Sequence, residues 1–553
     1  MTATQAPSRR VSDRRIRAIG RDAFGYDTFR PGQFEAIRAL LDGRDTLAVL
    51  PTGAGKSAIY QIATVLSPRD SITLVVSPLI ALQQDQVNGI EELDEGIGVA
   101  LNSTLGDRDH AAMLERIARE EVRFVFLAPE QLTSERTMEV LRECHIGLFV
   151  IDEAHCISEW GHDFRPDYMR LGTVIEALGH PTICALTATA APPVREEIVN
   201  RLEMEDPAII VSGFDRPNIR LMVEHVPDHD RKIEALLDHV AAAEGNGIVY
   251  AATRADTESI AEALVERGRD AVAYHAGLSG ERRERIQDAY MAGEHDVIVA
   301  TIAFGMGIDK PDVRFVVHAS ISESLDSYYQ EIGRAGRDGE PAEAMLFYDP
   351  KDLDLRRFQS GAGELPIGEV AAVLAVLAGQ DEPGDPAAAR AAAELSDTKM
   401  MRVINRLEEV GAVETLADGR VRALRPVEES GDLATRAVES HEQHRRFSRS
   451  RLDMMRSYAD HATCRRAHLL GYFGEAFEPP CGNCDNCLAG KGVPEVAEHE
   501  GPFPAGSEVA HREWGPGTVL RYEGDRVVIL FTSVGYRTLL LDHVLKEGLL
   551  TAA

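Results

Sequence analysis

The feature that most constrains this chain is the passage from Thr46 to Leu66. An apolar run, Thr46 to Leu50, is followed by PTGAGKS, Pro51 to Ser57, and then by a helical stretch through Ile59 to Leu66. A buried strand, a Gly loop and a helix in that order make a phosphate cradle. Gly53 and Gly55 let backbone N–H groups turn toward an anion, and the helix adds its positive N-terminus. Lys56 would reach the β- and γ-phosphates and Ser57 would ligate Mg²⁺. The first Gly usual in such a loop is Leu50 here. A strand that leads into a helix in this way calls for a parallel sheet with crossover connections.

A second stretch completes the site. VIDEAHCISEWGHDFRPDY, Val150 to Tyr168, begins as the end of an apolar strand and runs at once into Asp152, Glu153 and His155. Carboxylates at the C-terminal end of a parallel strand suit a Mg²⁺ held beside a nucleotide. Asp152 would hold the metal, and Glu153 would orient or deprotonate the attacking water. The loop that follows carries Trp160, His162, Phe164 and Arg165. Aromatics interleaved with Arg suit stacking on bases and contact with phosphates, at about 1–3 kcal/mol per stacked base.

Apolar strands recur at Ile72 to Val76, Val122 to Leu127, Leu148 to Ile151 and Ile183 to Leu186, with helical stretches between them. The pattern restarts after Phe214, with strands at Gly247 to Ala251, Ala271 to Tyr274, Asp296 to Ala300, Arg314 to His318 and Glu343 to Phe347. Two α/β units of similar size are expected, with a nucleotide site between them. The second contains SYYQEIGRAGRDG, Ser327 to Gly339, whose Arg334 and Arg337 would act as arginine fingers for phosphoryl transfer.

The character changes after Pro350. Apolar positions from Met400 to Leu407 have helical spacing, and ETLADGRVRAL reads as a hairpin turning near Asp418, so residues 366–426 read as a winged-helix unit. The next helical stretch is rich in Arg between Arg445 and Arg466, a basic patch inside a chain of net charge −31. Net charge speaks to solubility, whereas phosphate binding depends on local charge. Cys464, Cys481, Cys484 and Cys487 have the spacing of a closed, structural Zn²⁺ site, while Cys144, Cys156 and Cys184 sit in or beside apolar strands as small buried hydrophobes. The last segment alternates short strands with Gly turns and reads as a small β-barrel. No apolar run reaches the roughly 20 residues needed to cross a bilayer, and the N-terminus lacks a secretory pattern, so a cytoplasmic, nucleoid-associated protein is expected.

The chain resembles the superfamily 2 helicases, and within them the RecQ DNA helicases. FGYDTFRPGQ, Phe24 to Gln33, is similar to the family's adenine-binding motif, which implies ATP contacts by Tyr26, Arg30 and Gln33 beside those of Thr52, Gly53, Gly55, Lys56 and Ser57. SPLIALQQDQV from Ser77 resembles a motif on the DNA track, TAT ending at Thr189 one that links hydrolysis to movement, and TIAFGMGIDKPDVRFVVH from Thr301 a further DNA-side motif. ISEWGHDFR resembles the family's aromatic-rich loop, which implies that it couples single-strand binding to hydrolysis. Glu159 and Asp309 stand where the family pattern leads one to expect Gln and Asn. The Cys segment is similar to the RecQ zinc subdomain. The tail resembles the Tudor-like tail of UvrD and PcrA helicases, which implies a protein contact.

The expected architecture is α/β: two tandem RecA-like parallel-sheet domains (1–212 and 213–350), a linker with a winged-helix unit (351–430), a helical zinc-binding module (431–492), a linker (493–505) and a Tudor-like β-barrel (506–553). The expected activity is ATP- and Mg²⁺-dependent unwinding of tailed or forked DNA by a chain with a structural Zn²⁺, with 3′ to 5′ movement on the single strand and a role in repair or recombination. An RNA helicase, or a DNA-stimulated ATPase that recruits without unwinding, is the alternative. No membrane partner is expected.

Overall fold

The computed structural model describes residues 11–78, 80–91, 96–102, 105–158, 165–305, 308, 310–360, 365–380, 382–416, 420–424, 430–493 and 501–552. Two compact units emerge, Met1–Arg216 together with Gly305–Lys310, and Pro217–Phe304 together with Pro311–Ala553.

The first unit is built on seven strands: β1 (Thr46–Val49), β2 (Ile72–Val76), β3 (Gly98–Leu101), β4 (Phe124–Leu127), β5 (Ile146–Ile151), β6 (Thr182–Thr187) and β7 (Ala208–Val211). They pair in the order β3-β4-β2-β5-β6-β1-β7, every pair parallel. The strands β1, β2 and β4 are buried along their whole length, as a sheet covered on both faces requires. One consequence governs function. The order β2-β5-β6-β1 sets side by side the loops that follow these four strands, and the loops carry Ser77, Asp152–Glu153, Thr189 and the Gly loop. In an open parallel sheet, that carboxyl-end rim is where ligands bind.

The second unit opens with six strands: β8 (Ile219–His225), β9 (Asn246–Tyr250), β10 (Ala271–Tyr274), β11 (Val297–Ala300), β12 (Val313–His318) and β13 (Ala342–Tyr348). Their order is β10-β11-β9-β12-β13-β8, again all parallel, which leaves β8 at an edge. Both sheets are of RecA type, with helices between successive strands.

Helices Ile367–Ala378, Pro386–Ala392 and Asp397–Glu409 follow, then the hairpin β14 (Val413–Thr415) and β15 (Val421–Ala423). A bridge from Gly384 to Val421 adds a third short strand partner to this hairpin. The turn near Asp418 lies outside the described residues. These helices bury Val370, Val373, Leu374, Val403 and Leu407 against Leu433, Ala434 and Ala437 of the 31-residue helix Ser430–Asp460. That long helix leads into helix Arg465–Tyr472 and the cysteine loop.

The tail forms five antiparallel strands: β16 (Glu508–His511), β17 (Gly515–Glu523), β18 (Arg526–Phe531), β19 (Gly535–Leu540) and β20 (Leu550–Ala552). Their order is β19-β18-β17-β16-β20, and among the described residues the end strands do not pair, so the expected barrel is an open sheet. It does not hang free on its linker. The Tyr536 hydroxyl donates to the Tyr472 hydroxyl at 3.2 Å, and Gly535 lies so close to Ser450 that a Cβ would collide with it.

The Arg residues expected to form a basic patch between Arg445 and Arg466 divide: Arg446, Arg449 and Arg456 are exposed, and three others are internal. Arg451, Arg465 and Arg466 are buried. Arg465 donates to Asp485 at 2.6 Å and to the Tyr458 carbonyl at 2.8 Å, and Arg466 donates to the Ile219 carbonyl at 2.6 Å. These cations hold the module together. Cys156 and Cys184 are buried, as expected of them, and Cys144 is half-buried.

Candidate nucleotide site and zinc centre

The Gly loop takes the shape its composition demands. Gly53 and Gly55 have φ of 79° and 71°, the left-handed region where a side chain would be strained. Among the described residues, the hydrogen-bond contact of Lys56 is a long one, 3.5 Å to the Leu50 carbonyl, and the side chain is half-buried, so its ammonium is available to an incoming phosphate. Helix Ser57–Leu66 begins at once after it. The side chain of Gln33, fully buried, donates to the carbonyls of Ala54 and Gly55 at 2.9 and 3.0 Å and accepts the Arg30 N–H at 2.8 Å. Tyr26 comes near the Gly55 position on the same side. The three residues expected at adenine are therefore tied to the phosphate loop, and Thr52 lies half-buried within it.

Asp152 and Glu153 follow β5. The Asp152 N–H donates to the Val76 carbonyl at 2.9 Å, and its carboxylate accepts the Glu153 N–H at 3.0 Å. Glu153 has φ of 48°, uncommon for a residue with a side chain and a feature that clusters at functional sites. Burial and then the neighbouring Glu153 charge push the Asp152 pKa up to about 6, against the pull of Lys56. His155 lies 3.3 Å from the Glu153 carboxylate and 2.9 Å from the Thr187 hydroxyl. Burial works against its charge, but Cys156 and Glu153 outweigh that and hold its pKa well above the ordinary value. Thr187 in turn donates to the Thr189 carbonyl at 3.0 Å. Glu153, His155, Thr187 and Thr189 thus form one buried polar path across the ends of β5 and β6.

This geometry sets a pH dependence. The folded pKa of Asp152 lies above the unfolded value of 3.8, so its contribution to stability is full below that value and is lost as pH rises through about 6. In metal-free protein, Asp152→Asn is therefore expected to melt above wild type at about pH 8, with the gap closing toward about pH 4. Melting curves across that range check this, and a gap independent of pH would sink the assignment.

Of the residues expected at DNA, Trp160, His162 and Phe164 lie outside the described residues, and so do Glu159 and Asp309. Arg165 is described. Its guanidinium donates to the Pro78 carbonyl at 3.2 Å, and its N–H to the Cys156 carbonyl at 2.9 Å. The loop after the carboxylates is thereby joined to the segment that starts at Ser77. The side chains of Ser77 and Thr189 are buried, and the Ser77 carbonyl accepts from Gln83 at 2.9 Å. Both residues shape this rim from inside. Thr301, half-buried, caps the turn after β11, with its hydroxyl accepting the Ala303 N–H at 3.4 Å.

In the second unit, helix Leu325–Ile332 leads into Arg334 and Arg337. Arg334 is only 4% exposed and bears on the Tyr250 hydroxyl, while Arg337 is half-buried. Glu331, one turn before Arg334, accepts from Ser322 at 2.7 Å and lies 2.7 Å from His318. Sequence patterning gave no hint of Tyr250, His318 or Glu331, because each contact joins residues distant in the chain.

The four cysteines converge. Sulfur atoms of Cys464, Cys481, Cys484 and Cys487 all lie within 4.8 Å of one another, with Cys481 and Cys487 3.7 Å apart. Tetrahedral Zn–S bonds of about 2.3 Å place sulfurs about 3.8 Å apart, so the donor set fits Zn²⁺. Backbone N–H groups of Asn483 and Cys487 point at the sulfurs of Cys481 and Cys484, each at 3.4 Å, which favours thiolates.

Three family models match: a DEAD/DEAH box helicase domain over residues 30–198, a helicase conserved C-terminal domain over 231–339, and a RecQ zinc-binding domain over 421–488. A probable ATP-dependent DNA helicase RecS of Bacillus subtilis is 37% identical over 468 residues, covering 84% of this chain and 90% of that one. The chain belongs to the RecQ family of superfamily 2 helicases. Within it, the ATP-dependent DNA helicase RecQ of Pasteurella multocida is 36% identical over 84% of this chain, which spans 61% of that protein's length. The fold also matches a solved structure of the DUF1998 helicase MrfA bound to DNA, with a TM-score of 0.52 at 17% identity, over 74% of this chain and 59% of that one. Among the described residues, no helix is long and apolar enough to cross a membrane.

Proposed function

We propose that this chain is an ATP-dependent DNA helicase that moves 3′ to 5′ along single-stranded DNA and unwinds tailed or forked duplexes in repair or recombination, in the cytoplasm. The observation that carries this reading is the strand order β2-β5-β6-β1, which lines up the phosphate loop, the two carboxylates and the Thr187–Thr189 turn on one rim. Tyr26, Arg30 and Gln33 would take the adenine. Thr52, Gly53, Gly55 and Lys56 would hold the phosphates. Ser57 and Asp152 would hold Mg²⁺, which when bound neutralises phosphate charge. Glu153 orients the attacking water, and His155 with Thr187 fixes the carboxylate.

Arg337 and Arg334 supply positive charge as phosphoryl transfer proceeds, and Arg337 is the more exposed of the two. Trp160, His162, Phe164 and Arg165 report bound DNA to the site. The link from Arg165 to Pro78 makes that report short-range. The open sheet at the C-terminus is proposed as a contact for a protein partner.

Strand displacement on 3′-tailed and 5′-tailed duplexes tests the reading. Unwinding of the 3′-tailed substrate alone is expected, and unwinding of the 5′-tailed one alone reverses the polarity. Trp160→Ala should retain basal ATPase and lose most of the stimulation by single-stranded DNA. Stimulation by RNA equal to that by DNA would remove DNA as the preferred track.

A further inference from the structure

The backbone on both sides of Arg337 is pinned. Gly336 has φ of 56°, and a Cβ there would collide with the Asn218 side chain and come within 2.8 Å of the Glu340 carbonyl. Asn218 donates from its amide to both the Gly336 carbonyl, at 2.8 Å, and the Glu340 carbonyl, at 2.9 Å. The Gly336 N–H donates to the Val313 carbonyl at 2.8 Å, and Arg314 pairs with Asp338. One side chain, Asn218, thus staples the two ends of a short loop whose middle carries Arg337.

Asn218 is itself held by the cysteine loop. The Asn483 amide donates to the Pro217 carbonyl at 3.0 Å, and the Asn483 carbonyl accepts the Leu221 N–H at 3.3 Å. Asn483 lies between Cys481 and Cys484, so the zinc-binding set fixes its place. A cavity of about 430 Å³ lies on this side, lined by Asn218, Arg314, Glu343 and Asn483 among others. Side-chain packing does not fill it, so hydrogen bonds carry the connection there.

We infer that Asn218 is a positioning residue for Arg337, and that Asn483 of the zinc loop holds Asn218 in place, so that the metal centre is coupled to ATP turnover. This rests on Arg337 serving ATP hydrolysis, as proposed above. The test uses the full-length, zinc-loaded chain and measures kcat and KM for ATP at saturating single-stranded DNA. The set is Asn218→Ala, Asn483→Ala, Arg337→Ala and the double variant of Asn218 and Arg337. Bound zinc and melting temperature are measured on each.

Losing both hydrogen bonds should cost Asn218→Ala about tenfold in kcat, with KM, DNA affinity and zinc content unchanged. Asn483→Ala should cost about threefold with zinc retained. In the Arg337→Ala background, Asn218→Ala should cost nothing further, because the group it aims is gone. A full additional loss in the double variant would mean that Asn218 acts elsewhere, and an unchanged kcat in Asn218→Ala would also overturn the inference. If Arg337→Ala alone leaves kcat intact, it is the arginine's proposed role that fails. Should Asn218→Ala not fold, Asn483→Ala decides: an undiminished kcat with zinc bound overturns the coupling.

Discussion

Lys56→Ala is expected to lower DNA-stimulated ATP turnover by about a hundred- to a thousandfold and to abolish unwinding. The range corresponds to about 3–4 kcal/mol, the usual loss when one preorganised charge or donor is removed from a reacting phosphate or oxyanion. Two effects act together. The ammonium's contact with the Leu50 carbonyl is a long one, 3.5 Å, so its charge is available to the β- and γ-phosphates. It also holds down the pKa of Asp152, which burial and Glu153 already push up to about 6. Without Lys56 the carboxylate moves further toward its neutral form, which is a poor Mg²⁺ ligand. The variant should therefore need more Mg²⁺, and its residual activity should rise with pH. Stability should hardly change at about pH 4, where Asp152 is neutral, and should fall modestly at about pH 8, where the Asp152 charge loses the pull of Lys56. Steady-state ATPase at several Mg²⁺ concentrations, with melting curves as control, measures both. Turnover near wild type would remove the phosphate loop from the mechanism.

The sequence made the chemistry legible where function depends on local order. A strand, a Gly loop, a Lys and a helix are contiguous, and so are the two carboxylates at the end of β5. Cysteine spacing announced the metal set for the same reason. Contacts between distant residues were not legible. The strands β3, β7 and β8 escaped notice because they are short or lie at an edge. β7 alternates half-buried and exposed positions, unlike the fully buried runs of β1 and β2. The Arg-rich stretch divides in a way that spacing does not reveal: Arg446, Arg449 and Arg456 are exposed, whereas Arg451, Arg465 and Arg466 are buried. Spacing says that Arg465 and Arg466 are cationic, but their partners, Asp485 and the Ile219 carbonyl, lie 20 and 247 residues away. Burial converts such cations from a DNA surface into internal fasteners. Gln33 could be placed near ATP by resemblance, yet its grip on the Ala54 and Gly55 carbonyls, across 21 and 22 residues, is a property of the fold alone.

Removing zinc should damage far more than the cysteine loop. β8 is an edge strand, and the cysteine loop covers that edge. Leu221 and Cys484 form a parallel bridge, the Val223 N–H donates to Asp485 at 3.1 Å, and the Ile219 carbonyl accepts from Arg466. A structural zinc contributes about 10–16 kcal/mol of apparent binding free energy, against a total folding stability of about 5–15 kcal/mol, so the loop cannot hold its shape once the metal is lost. Arg465 then loses Asp485 while still buried, which adds the cost of an uncompensated cation. The uncovered β8 offers free backbone groups to other chains, a recognised route to aggregation. Cys484→Ser or a strong chelator is therefore expected to lower the melting temperature sharply and to promote aggregation of the second unit. Hydrogen exchange gives the sharpest reading, because the Leu221 and Val223 amides should lose protection when zinc is removed, while the amides of β1 and β6 in the first unit keep theirs. Protection of Leu221 and Val223 that survives complete zinc removal would show that the loop covers the strand without its metal.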